Sequence, residues 1–317
     1  MKMHKFIFLA YLFLISNLGC DEKLDFSFGI IMDLGESQEK VFDNARLLSL
    51  LQWPILPSFS LHFDAGLHLP YFHINFETSF GFPFFSGFMK DSDYTDPHST
   101  KKTLFSCHKT KLNQNISFSS LIGVPFKVSS KQMEENHQII VELEPELGFY
   151  FSLKNWHAKD GYTQYKSADD SKFWNENWPK KEYNGKGVKY MQKMFFPFIA
   201  FESKIKIKNN LNIAIKTSFS PLLQAITQDT HFDKEIIYID TFSVPSYAFE
   251  VKTILERKIS KKIFFYSHLS FLYFKSNTGK TAILEKNTKD VIANYVKGSS
   301  GTEGKEFKLI VGIRCKF

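Results

Sequence analysis

Apolar and polar residues alternate along most of the chain with a period of two. From Ile139, one parity reads Ile139, Val141, Leu143, Pro145, Leu147, Phe149, Phe151 and Leu153, while the other carries Glu142, Glu144, Glu146, Gly148 and Ser152. Near the C-terminus Phe307, Leu309, Val311, Ile313, Cys315 and Phe317 alternate with Lys308, Ile310, Gly312, Arg314 and Lys316. Leu211, Ile213, Ile215 and Phe219 do the same against Asn212, Ala214, Lys216 and Ser218. Successive side chains of a strand point to opposite faces, so each segment predicts a strand with one apolar face.

A soluble sandwich would alternate in the same way. Three further features favour an all-β, antiparallel transmembrane barrel. Many of the strands exceed ten residues, short links such as Lys208-Asn209-Asn210 alternate with long polar ones, and the chain ends in Phe317 on the apolar parity. Ten strands are predicted, near 24–33, 45–62, 71–88, 114–128, 138–155, 188–206, 211–227, 242–258, 263–278 and 304–317. Long loops are expected at 89–113, 156–187, 229–241 and 279–303, with a first hairpin loop near 34–44. An even count with the long loops at one end fits a single closed domain.

One continuous apolar block stands apart. Lys2 and Lys5 precede the run Phe6 to Ile15, followed by Ser16-Asn17-Leu18-Gly19-Cys20 and the acids Asp21 and Glu22. This is the layout of a secretory signal, too short to span a bilayer. We take 1–20 as the signal and 21–317 as the barrel. Cleavage at Cys20 by a lipoprotein route and ordinary signal-peptidase cleavage both fit. Beyond Cys20 there are only Cys107 and Cys315, at opposite ends of such a barrel and out of bridging reach.

Composition sharpens this picture. The chain of 317 residues carries 35 Phe, yet its mean hydropathy is −0.21, which excludes a bundle of membrane helices. Phenylalanine on alternate residues facing lipid satisfies both observations. The formal charge of +7 falls by two when Lys2 and Lys5 leave with the signal, too small an excess for a nucleic-acid binder.

Acids and histidines cluster in two long loops on the same side. Asp91-Ser92-Asp93-Tyr94-Thr95-Asp96 leaves the third strand, and Asp229-Thr230-His231-Phe232-Asp233 leaves the seventh. In extended chain, i and i+2 side chains share a face. Asp91 with Asp93, and Asp229 with His231, could each share one environment. Close carboxylates cannot both ionise cheaply, and an aspartate beside a histidine favours and orients the imidazolium. Facing across a barrel mouth, such pairs could deprotonate a water against a peptide carbonyl; solvated loop acids are the plainer alternative.

Taken together the clusters resemble the omptin family of outer-membrane aspartyl-type endopeptidases. In that family an Asp-x-Asp pair faces an Asp-x-His pair, and Asp91-Ser92-Asp93 and Asp229-Thr230-His231 match both. Tyr94 and Asp96, and Phe232 and Asp233, follow as in the family. Ser49-Leu50-Leu51-Gln52-Trp53 resembles its second-strand segment, and Tyr190-Met191-Gln192-Lys193-Met194-Phe195-Phe196-Pro197-Phe198 its sixth. The likeness runs from about Phe26 to Phe317. It implies that Asp229 orients His231 as general base on a water shared with Asp91. Asp93 would share protons with Asp91, and no metal or acyl-enzyme is needed. It also implies a monomer in the bacterial outer membrane, with its site facing outward and a peptide or protein as substrate. His108 matches a family histidine of uncertain role and reads equally well as an ordinary loop residue.

Two departures matter. The resemblance maps Glu39 onto an acidic substrate pocket before the scissile bond, but its second acid would fall at Thr227. A less negative pocket is expected, which puts strict preference for basic residues in doubt. The family's alternating Tyr, Glu and Arg for lipopolysaccharide are missing from 138–155, where Leu147, Phe149 and Phe151 take that face. Weak or absent dependence on that lipid is expected. Glu142, Glu144 and Glu146 are expected to pair in the lumen with Lys204, Lys206, Lys208 and Lys216. Trp174 and Trp178, with Tyr162, Tyr165 and Tyr183, are expected at the membrane boundary, with the lining of a substrate cleft as the alternative. A silent barrel serving as adhesin or receptor is the alternative function, and a small porin a more distant one.

Overall fold

The computed structural model describes residues 23–133, 137–165, 173–207, 210–242, 245–294 and 298–317, so the expected signal and Cys20 lie outside the described residues. The described chain is all strand and connection: β1 (Lys23–Asp43), β2 (Arg46–His68), β3 (His73–Gly81), β4 (Phe84–Asp93), β5 (Leu104–Gly123), β6 (Phe126–Met133), β7 (His137–Gln164) and β8 (Lys181–Ile207). There follow β9 (Leu211–Ser220), β10 (Gln224–His231), β11 (Ile236–Phe242), β12 (Ser246–Lys258), β13 (Ile263–Glu285), β14 (Val291–Asn294) and β15 (Ser300–Lys316). All named strand pairings are antiparallel, and they close on themselves.

The ring has ten staves, as the alternation predicts. Six strands, β1, β2, β7, β8, β13 and β15, run as single staves; β3 with β4, β5 with β6, β9 with β10, and β12 with β11 complete the other four. Each of those four staves breaks at a proline: Pro83, Pro125, Pro221 and Pro245. Proline has no N–H to give to the ladder and so favours a break there, although Pro54 and Pro57 in β2, Pro145 in β7 and Pro197 in β8 are carried within unbroken staves. Among the described residues, the short β14 pairs only with β13.

The usual burial pattern is inverted. Phe26, Phe28, Ile30 and Leu34 of β1 are exposed, while Asp25, Ser27, Asp33 and Glu39 between and beyond them are buried. Phe195, Ile199 and Phe201 on β8 and Phe307, Leu309, Val311 and Ile313 on β15 continue the exposed apolar belt. An outward apolar band around a polar interior is what a lipid environment requires of a closed sheet. Cys107 and Cys315 are unpaired.

The staves run further than the alternation predicts. Past the belt, the outward positions of β1 become Glu36, Gln38 and Lys40, so both faces are polar and the period-two signal fades. The chain nevertheless stays paired. A two-residue turn at Asn44 and Ala45, with φ of 49° and 68°, replaces the expected loop at 34–44. Much of the expected loops 89–113, 156–187, 229–241 and 279–303 is likewise strand, with β7 and β8 paired out to Thr163 and Lys181.

The lumen is filled. Trp53 of β2 stacks on Tyr190 of β8 with ring centroids 5.0 Å apart and planes 7° from parallel, and Trp156 of β7 packs on both. All three are completely buried, and Leu51, Ile55, Met89 and Leu112 close the space around them. Below this plug the acids carry cations: Lys154 on Glu306, Lys216 on Glu146 at 2.5 Å, Lys204 on Glu202 at 2.7 Å and Lys206 on Glu142 at 2.6 Å. This is the lumenal pairing expected for the Glu142–Glu146 row; Lys208 lies outside the described residues. Among the described residues, an aromatic plug over paired charges crosses the lumen and leaves no open channel of the porin kind.

Candidate active site

Above the plug, at the end bearing the long connections, the outer strand ends hold the acid and histidine clusters. Asp91 and Asp93 lie on β4, paired to β2 through Ser49–Gln52 and to β5 through Leu104–Cys107. The Ser49 hydroxyl donates to Asp91 Oδ1 at 3.1 Å. Asp229 and His231 end β10, which is laid between β8 and β11. Both pairs are therefore strand residues rather than the loop residues expected from sequence. This makes the i, i+2 argument apply directly: His231 Nε2 meets Asp229 Oδ2 at 2.7 Å. Tyr238 packs edge-on against the imidazole, with ring centroids 5.4 Å apart.

The charges of the two pairs act on each other across the mouth. Burial, then the neighbouring Asp93 carboxylate, pushes Asp91 up to about 7, while His231 pulls the other way. Burial also raises Asp93, against Ser49, Lys234 and His231. For His231, burial favours the neutral ring, but the Asp229 carboxylate, with its hydrogen bond and charge, wins and raises the pKa. The site thus holds two protonatable carboxyls opposite a strengthened base.

Glu39 reaches the same space from β1 and is only 3% exposed. Burial raises its pKa well above the usual value, and Asp229, Asp240 and Asp91 add to the effect. Thr227 also faces inward, and its hydroxyl donates to Asp240 Oδ2 at 3.3 Å. Asp240 is a candidate site residue that the sequence reading missed. It stands opposite Thr227 in the β10–β11 ladder, a relation visible only once the hairpin register is known.

Other sequence-marked residues fall elsewhere. His108 lies on β5 with Nδ1 3.3 Å from the Asp160 carbonyl oxygen and Tyr183 edge-on at 5.1 Å, which gives it a packing role at the rim. Trp174 and Trp178 are not at the membrane boundary. They sit in the connection beyond β7 and β8, where Gln164 Nε2 donates to the Trp178 carbonyl oxygen at 2.7 Å and Lys102 lies 4.2 Å from the Trp174 ring centre. Tyr165, at the end of β7, feels Asp91 and Asp93, and burial followed by these charges raises its pKa. The strand extensions lift this aromatic group above the belt. Among the described residues, His73, Glu144 and Glu146 have metal-ligand spacing, but they lie at the opposite end and already engage one another, Lys204 and Lys216.

The model of the omptin family matches residues 21–317. The chain belongs to the omptin family. Among solved structures, the outer membrane protease OmpT from Escherichia coli superposes with a TM-score of 0.77 at 17% identity, covering 93% of this chain and 97% of that one. The translocator domain of autotransporter NalP from Neisseria meningitidis, at 6% identity with 97% and 95% coverage, reaches a TM-score of only 0.31. Neisserial surface protein A, at 9% identity with 92% and 97% coverage, reaches 0.23. Among curated protein sequences none matches. An omptin is a bacterial outer-membrane protein, and family and fold together support a protease.

Proposed function

We propose that this omptin is an endopeptidase whose mouth opens to the extracellular side, and that Asp91, Asp93, Asp229 and His231 carry the hydrolysis. The observation that supports this most directly is the Asp229–His231 pair held opposite two carboxyls, one with its pKa raised to about 7. With Nε2–H donated to Asp229, Nδ1 keeps the free lone pair. It takes a proton from a water lying between His231 and Asp91, and the water oxygen attacks the peptide carbonyl. The carbonyl oxygen becomes an oxyanion, held by the proton that Asp91 and Asp93 share. The imidazolium then gives its proton to the departing amine as the C–N bond breaks. Every proton is returned, and the charge that develops is met by groups already in place.

Glu39 faces the substrate residue before the scissile bond in this reading. Outer-membrane lipid contacts the belt, where Leu147 and Phe149 present bare apolar side chains outward. Activity accordingly depends weakly or not at all on lipopolysaccharide, and the chain works as a monomer.

Asp91→Ala and His231→Ala test the reading with a mixed peptide pool followed by mass spectrometry. Each should lower cleavage by about 10²–10⁴-fold while the protein keeps its heat-modifiable migration in gels. Undiminished cleavage by either variant overturns the mechanism.

A further inference from the structure

Below the plug, most buried acids are matched by lysine or arginine: Glu306 by Lys154, Glu146 by Lys216, Asp64 and Glu256 by Arg314, and Glu77 by Lys252. At the end opposite the mouth, two acids hold histidine. His68 Nε2 meets Asp25 Oδ2 at 2.7 Å, and His73 Nδ1 meets Glu144 Oε1, while Glu144 Oε2 lies 3.7 Å from Lys204. A lysine would neutralise either acid as well. An imidazole differs in that it keeps a second ring nitrogen. Among the described residues, neither His68 Nδ1 nor His73 Nε2 takes part in a hydrogen bond or ion pair.

The two histidines are held as a pair by the backbone. His68 ends β2 and His73 begins β3, and they stand directly opposite each other in the ladder. The turn between them is closed by the Leu69 N–H, which donates to the Phe72 carbonyl oxygen at 2.9 Å. Their ring centres are 5.5 Å apart, with planes 29° from parallel. Two imidazoles that share one tetrahedral ion, with metal–nitrogen bonds of about 2.0–2.1 Å, have ring centres about 5 Å apart. The spacing is therefore already set, and rotation about the side-chain bonds turns both free nitrogens toward one point. Glycines make room for the two carboxylates: a Cβ on Gly66 would lie 2.5 Å from Asp25 Oδ1, and one on Gly123 would run into Glu144 Oε1 and His73. Asp25, His68, His73 and Glu144 all line a cavity of about 390 Å³ at this end, which gives an ion a path and a supply of water.

We propose that His68 Nδ1 and His73 Nε2 form a binding site for one divalent transition-metal ion of the Ni²⁺, Cu²⁺ and Zn²⁺ class, which imidazole ligands favour. Asp25 and Glu144 accept the N–H on the far side of each ring, the arrangement that fixes tautomer and orientation in metal-ligating histidines. Water from the cavity completes the coordination. The bound ion ties β2 to β3 across their turn. This site lies at the opposite end of the barrel from Asp91 and His231, and it stands whether or not those residues hydrolyse peptides.

The test uses the untagged protein folded in detergent, titrated with Zn²⁺ by calorimetry and with Cu²⁺ by electron paramagnetic resonance. The wild type should bind one ion with coupling to two nitrogens. His68→Ala and His73→Ala should each weaken binding at least tenfold and reduce the coupling to one nitrogen. Asp25→Asn, which leaves both ligands in place, should weaken binding about tenfold. His231→Ala removes the histidine of the mouth and should leave the two-nitrogen signal intact. Wild-type protein that binds neither ion overturns the proposal, as does a two-nitrogen signal that survives both His68→Ala and His73→Ala. Loss of binding in His73→Ala with none in His68→Ala also overturns it, because the ion would then sit among His73, Glu144 and Glu146, whose ligand atoms lie within 4.8 Å of one another. Heat-modifiable migration checks that each variant is folded; His68→Gln and His73→Gln, closer in size and polarity, serve where an alanine variant is not.

Discussion

Replacing Asp91 by asparagine should stabilise the barrel while it removes activity. The carboxyl moves from a usual 3.8 to about 7 on folding, chiefly because it is buried and faces Asp93. A raised carboxyl pKa means that the folded chain binds more protons than the unfolded one. Stability therefore falls as pH rises from about 4 to about 7 and is level above that window. At about 1.4 kcal/mol per pH unit, the full penalty is about 4 kcal/mol. Water at the open mouth and the proton shared with Asp93 reduce it, and we expect a gain of about 2 kcal/mol for Asp91→Asn at pH 8. Asparagine keeps an oxygen for the Ser49 hydroxyl, so little packing is lost. Loss of heat-modifiable migration with temperature, measured at pH 4, 6 and 8, gives the comparison. The variant's advantage should be near zero at pH 4, grow through pH 6, and reach several degrees at pH 8. An advantage equal at all three pH values, or a variant less stable at pH 8, would show that Asp91 does not carry the electrostatic load described here.

Three other outcomes follow from the same geometry. Asp229→Asn removes the charge that raises His231, so the acid limb of the cleavage–pH profile should shift to lower pH while the maximum rate falls by about 10³–10⁴-fold; an unmoved limb would assign it to another group. Purified protein refolded in detergent should cleave peptides equally with and without added lipopolysaccharide, whereas strong activation would refute the reading of Leu147 and Phe149 as plain lipid contacts. A Cβ on Gly29 would come within 2.5 Å of the Tyr266 hydroxyl and 2.7 Å of the Val311 carbonyl oxygen, at the seam where β1 meets β15. Gly29→Ala should therefore cost about 1–3 kcal/mol and show as a lowered melting temperature; an unchanged one would mean the seam relaxes freely.

The ten staves were legible because lipid on one side and a polar lumen on the other force opposite chemistry onto alternate residues. The Phe26-to-Leu34 and Phe307-to-Ile313 rows carry that signature unaided. Above the belt the constraint lapses. Lys109, Thr110 and Lys111 of β5 pair with Lys159, Ala158 and His157 of β7, and nothing in their polarity marks them as strand. The candidate acids and His231 were legible as short motifs, since a strand brings i and i+2 together locally. Asp240 was not, because its relation to Thr227 depends on the register of two strands. The stacking of Trp53 of β2 on the β7–β8 pair Trp156 and Tyr190 depends on closure of the whole ring.

That aromatic meeting has a consequence for how the barrel assembles. Trp156 and Tyr190 are register partners on the adjacent staves β7 and β8, but Trp53 comes from β2, more than a hundred residues earlier, and reaches them from across the lumen, where the staves approach only when the cylinder is complete. Contacts of such long sequence separation form late in folding. Stacked indole and phenol rings couple their electronic transitions, so the plug is a built-in optical reporter. An exciton-coupled circular dichroism signal from it should lag behind the appearance of β structure and mark the moment at which the inserted sheet seals.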